Sequence, residues 1–134
     1  MPRLADIKGL GESHAQKLRA AGVTSPQALL SEAATPQGRK EIAEKTGVSE
    51  KAVLEWVNRV DLLRIRGIGQ EYADLLELAG VDTVPELAQR NPENLYEKLV
   101  AVNRDKQLVR RLPVLAQVKD WVAQAKRLPR VVSY

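Results

Sequence analysis

Two short stretches, Ile7-Lys8-Gly9-Leu10-Gly11 and Ile65-Arg66-Gly67-Ile68-Gly69, read alike and decide the fold. They lie 58 positions apart. At that offset residues 7–29 align with 65–87 without a gap, and nine of the 23 positions are identical. Beyond the isoleucines and glycines, Ala15, Leu18, Ala21, Gly22, Val23 and Leu29 meet Ala73, Leu76, Ala79, Gly80, Val81 and Leu87. A self-match at fixed offset marks a repeated supersecondary unit. It continues more weakly, with Val53, Trp56 and Val57 resembling Val118, Trp121 and Val122. Gly9 to Trp56 is 47 positions and Gly67 to Trp121 is 54, so the second unit carries seven more, assigned to 101–111. The pattern predicts two units, 1–60 and 61–134, packed as one compact helical body.

Around these stretches the signals are helical. Ser25-Pro26, Thr35-Pro36 and Asn91-Pro92 each place a capping side chain before a first-turn proline. Thr83 with Glu86 reads as a capping box, and Ser49 opens another helix. Gly22, Gly47 and Gly80 stand where helices stop. Helices are predicted over 12–21, 26–33, 36–46, 49–62, 70–79, 84–89, 92–102, 104–111 and 114–127. The last carries Val118, Trp121, Val122, Ala125 and Leu128 at helical spacing. No convincing alternating apolar run exists, and only the tail 131–134 is expected to be extended. The fold class is all-α.

Composition narrows the function. The chain has 134 residues, 44% hydrophobic and 28% charged, with no Cys, one His and no Phe. A structural zinc site needs about four Cys or His ligands, so zinc fingers are excluded. Disulfides are impossible, and no secretory leader is evident, so the cytoplasm is the expected location. No apolar stretch is long enough to span a membrane. The third glycine of a dinucleotide fingerprint is replaced by His14 and Tyr72, and no phosphate-binding loop with Gly-Lys-Ser/Thr exists. No Gly-x-Ser-x-Gly elbow is present, and the carboxylates show no metal-site spacing. The chain is therefore read as a non-enzyme with no metal and no cofactor.

The glycine pairs carry chemistry of another kind. Gly-aliphatic-Gly before a helix is the sequence form of a helix–hairpin–helix motif. Glycines permit positive φ, and successive backbone N–H groups can then face outward as an anion-binding concavity. The following helix adds its own N–H groups and the positive end of its dipole. Leu10 and Ile68 would plug the hairpin into the core. Such a site holds a phosphate without reading a base. Candidate nucleic-acid contacts are Lys8, Gly9, Leu10, Gly11, Ser13 and Lys17 in the first unit. In the second they are Arg64, Arg66, Gly67, Ile68 and Gly69. His14 is read as a surface residue, and Trp56 and Trp121 as core.

Residues 7–23 and 65–81 resemble the helix–hairpin–helix repeats of DNA repair and replication proteins. They are also similar to the C-terminal domain of the bacterial RNA polymerase α subunit. Nearly the whole chain resembles a bacterial family of unknown function built from tandem helix–hairpin–helix units. The resemblance is carried by Leu63–Gly69, Leu75–Val81, Asn91–Leu95 and Asp120–Pro129. It implies the fold, and DNA binding by analogy with the wider motif class. It also admits a K⁺ or Na⁺ at the hairpin carbonyls.

Charge is unevenly spread. Residues 1–60 hold nine basic and seven acidic side chains, 61–100 four and eight, and 101–134 eight and two. The first turn of the helix after the second glycine pair, with Glu71 and Asp74, repels phosphate. The C-terminal cations Arg104, Lys106, Arg110, Arg111, Lys119, Lys126, Arg127 and Arg130 could form a phosphate-facing patch beside the first hairpin. They could equally pair with the acidic helix inside the protein or across a dimer. The expected function is sequence-independent binding of nucleic acid, double-stranded DNA in particular. The alternative is a protein–protein interaction or scaffold module in which the hairpins are purely structural.

Overall fold

Side-chain caps set most of the helix starts. In the computed structural model, which describes residues 2–134, a short 3-10 turn at Leu4–Asp6 precedes eight α-helices. These are α1 (Gly11–Ala20), α2 (Pro26–Glu32), α3 (Pro36–Thr46), α4 (Glu50–Leu62), α5 (Gln70–Leu78), α6 (Val84–Ala88), α7 (Pro92–Lys106) and α8 (Leu115–Arg127). No strand occurs among the described residues. The hydroxyls of Ser25, Thr35 and Thr83 accept from the N–H groups of Ala28, Gly38 and Glu86 at 3.1, 3.1 and 3.2 Å. Asn91 accepts from Asn94 N–H at 2.9 Å, and Ser49 from Ala52 at 3.1 Å. Each cap contributes about 1 kcal/mol.

The chain divides into two compact units, one comprising 1–61 with 130–134, the other 62–129. In the first, α1 packs on the 3-10 turn and on α3. Its interior is Leu4, Ile7, Leu10, Leu18, Leu29, Ile42, Val53, Trp56 and Val57, all buried. In the second, α8 packs on α6 and α7, and α5 on α7. Trp121 sits among Ile65, Leu76, Leu87, Leu95, Leu99 and Val118. Both tryptophans are core residues. Among the described residues no helix is long and apolar enough to cross a membrane.

One predicted boundary is wrong. The sequence pattern places a break near 103 and a helix over 104–111, yet α7 runs unbroken to Lys106 and 107–114 is not helical. Gln107 turns left-handed at φ 50 and its N–H closes on the Asn103 carbonyl at 2.8 Å. The Asn103 side chain then brackets Val109, accepting from its N–H at 3.0 Å and donating to its carbonyl at 3.2 Å. The Asn103 side chain thus satisfies both backbone groups of Val109 beyond the helix end.

The tail joins the first unit through Arg39. This arginine is 5% exposed. Its guanidinium donates to the carbonyls of Ala33, Ala34 and Ser133 at 2.9, 3.1 and 2.6 Å. Ser133 N–H returns a bond to Ala34 O at 2.8 Å, Val132 is buried, and the Tyr134 hydroxyl donates to Asn58 Oδ1 at 2.9 Å. Burial pushes the Tyr134 phenol above its ordinary range, so it remains a donor through neutral pH. Because the folded pKa is the higher one, that contribution is lost only as pH rises past the phenol range.

Arg39→Met keeps the apolar stem and removes all three charged hydrogen bonds. The expected loss in urea unfolding is about 2–4 kcal/mol. Lys40→Met, at an exposed neighbour, should change stability by less than about 0.5 kcal/mol.

Candidate nucleic-acid interface

The first glycine turn is shaped by Gly9, at φ 81, and Gly11, at φ 72. The Leu10 N–H closes the turn on the Ile7 carbonyl at 3.0 Å. Leu10 is buried, while Lys8, Gly9, Gly11, Ser13 and Lys17 are exposed. The indole of Trp56 backs the turn, its Nε1 3.7 Å from where a Gly9 Cβ would stand. Glu12, the acid nearest the helix start, is held by Arg19 at 3.0 Å. Lys17 opens onto a shallow depression shared with Ala20, Ala21 and Lys45.

His14 is half-buried, not a free surface group. Its Nδ1 lies 2.7 Å from the Leu10 carbonyl, and its ring packs on Trp56 with centroids 5.2 Å apart. A carbonyl only accepts, so Nδ1 carries the proton and donates. The histidine steadies the turn.

The second turn is held more tightly. Gly67 is left-handed at φ 96, and a Cβ there would stand 2.9 Å from Trp121 Nε1. Ile68 is buried, and its N–H closes on Ile65 O at 3.1 Å. Tyr72 packs on Trp121 at 5.3 Å between centroids, and its hydroxyl donates to Arg111 O at 2.9 Å. Gly69 differs from the other three turn glycines. Positive φ, which glycine permits, is not used here: Gly69 has φ −98 and ψ −172, extended backbone open to any residue. It serves as the N-cap of α5, a position with β-region backbone.

Lys8 and Arg64 already take part in interactions within the protein, and Arg64 is half-buried. Arg66 is exposed. Its backbone is gripped by Gln124, a residue that motif reading misses. The Gln124 amide accepts from Arg66 N–H at 2.9 Å and donates to Arg66 O at 3.0 Å and Asp120 Oδ2 at 2.8 Å. The available signal is a polar side chain three positions after Trp121 on the apolar face of α8. Arg59, three after Trp56, is likewise buried. Among the described residues no group of three or more His, Cys, Asp or Glu could hold a metal ion.

The two glycine turns should respond differently to side chains. Gly67→Ala places an L-residue in left-handed backbone and pushes on the indole, costing about 1–3 kcal/mol. Gly9→Ala bears only the backbone cost, about 1–2 kcal/mol. Gly69→Ser should fall within a few tenths of a kcal/mol of the parent. Thermal denaturation of the three variants checks this order; an equal loss at Gly69 would contradict it.

No curated protein and no solved structure matches the chain. The pattern of a family described as a domain of unknown function, DUF4332, matches residues 8–128. That span takes in both glycine turns and all eight helices. The chain belongs to the DUF4332 family.

Proposed function

We propose that this protein is a non-enzymatic module that holds duplex DNA by its phosphates, without regard to sequence. Each unit acts as a helix–hairpin–helix element, and the two are tandem copies of one design. The observation that carries the reading is the pair of solvent-facing turns. In each, an exposed left-handed glycine is followed by a buried aliphatic residue and then by the start of a helix nine or ten residues long. Backbone N–H groups in such a turn form an anion-binding concavity, and the helix start adds donors with no intrahelical acceptor. The dipole contributes in the same direction.

The first turn is the better anion site. Its flanking groups are Lys8, Ser13 and Lys17, and its nearest acid is tied to Arg19. The second turn is followed by exposed Glu71. Contacts to few phosphates give weak, salt-sensitive binding.

A labelled duplex titrated with the protein, read by fluorescence anisotropy at low and physiological salt, tests the reading. The parent should bind more weakly as salt rises. Ser13→Glu combined with Lys17→Glu, both at exposed positions, should weaken binding about ten-fold or more. A second reading, a scaffold for a protein partner, draws on Leu78, Leu108 and Val114, large apolar side chains left exposed in the second unit. Failure to bind DNA at low salt would favour it.

A further inference from the structure

The end of α7 and the loop after it form an exposed basic element that the glycine turns do not explain. Residues 104–111 carry Arg104, Lys106, Arg110 and Arg111 against one acid, Asp105, a net charge of 4 − 1 = +3. All four cations are exposed, and among the described residues none of them forms an ion pair. None of the acids of α5 (Glu71, Asp74, Glu77) forms an ion pair with these four cations.

The segment is also ordered and placed. Asn103 holds both backbone groups of Val109, and Val109 and Pro113 are buried. The Arg111 carbonyl accepts from the Tyr72 hydroxyl at 2.9 Å. Tyr72 packs on Trp121, and Trp121 stands against Gly67. Two aromatic rings thus connect the basic segment to the second glycine turn. Cations on a fixed loop lose less freedom on binding than cations on a free tail.

We infer that segment 104–111 is a second phosphate-binding element, set beside the Gly67 turn to hold a further stretch of the same duplex DNA backbone. The inference rests on the reading of the turns as nucleic-acid contacts and adds to the charge that Arg66 places next to the second turn. Evenly spaced phosphates suit a cluster of exposed arginines that reads no base.

The test uses the full chain carrying Arg104→Gln, Lys106→Gln, Arg110→Gln and Arg111→Gln together, which keeps the Arg111 carbonyl for Tyr72. Circular dichroism checks that the helices are retained. Anisotropy with the labelled duplex is repeated across salt concentrations. The slope of log K against log salt should fall by about 0.9 for each phosphate no longer neutralised, roughly 2–4 in total. At fixed salt the affinity should drop at least about ten-fold. An unchanged slope overturns the basic segment and leaves the turns standing. A reduced slope here, with none for the Ser13→Glu, Lys17→Glu protein, supports the segment beside the second turn and removes the first turn as a contact. A parent that does not bind at low salt overturns both.

Discussion

An indole edge set against a bare α-carbon organises each unit. In the second, Trp121 stands so near Gly67 that a Cβ would lie 2.9 Å from its Nε1. In the first, Trp56 takes the corresponding place by Gly9 at 3.7 Å. The closer approach demands glycine, and glycine permits the left-handed turn. The turn lets Leu10 or Ile68 dive into the core while its backbone faces water. Around it the second unit adds a bidentate grip by Gln124 on Arg66 and a tyrosine ring; the first adds His14. Burying an aromatic side chain contributes about 2–3 kcal/mol, and the pairing of rings about 1 kcal/mol more. The exposed turn is therefore rigid because buried groups fix it from behind.

Rigidity matters for the proposed chemistry. A phosphate gains little from an amide that must first be oriented, so a pre-shaped turn limits the ordering cost. The electrostatics of the two units differ. The first has its cations next to the turn and its nearest acid neutralised. The second has acids on α5 and a cluster of exposed cations at the end of α7 and in the loop that follows. In the proposal both turns carry an adjacent cation, Lys8 or Arg66, and the second unit adds charge from a separate segment.

The helices are legible in the sequence because their ends carry explicit chemistry. Ser25, Thr35, Thr83 and Asn91 each cap as their spacing from the next proline or glutamate implies. The break at 103 misleads because no local pattern shows that the Asn103 side chain binds both backbone groups of Val109. The glycine turns are visible as a pattern, but the separate roles of Gly67 and Gly69 are not, since backbone dihedrals depend on what packs behind them. Gly38 gives no signal at all. The Glu32 carbonyl occupies the place of its Cβ, a backbone approach from the preceding helix that leaves no local mark. Gln124 and Arg39 are hidden for a similar reason. Each is a polar residue on a helix that binds main-chain groups distant in sequence, 58 and 94 residues away in the longest cases.

In the proposal the backbone amides of the glycine turns face a phosphate. Amide chemical shifts of the isotope-labelled protein, followed by nuclear magnetic resonance as a short DNA duplex is added, report on those groups one by one. The amides of Gly9, Gly11 and Ser13, and of Gly67 and Gly69, should shift first and furthest. Shifts confined to surfaces away from both turns, or none at low salt, would contradict the proposal.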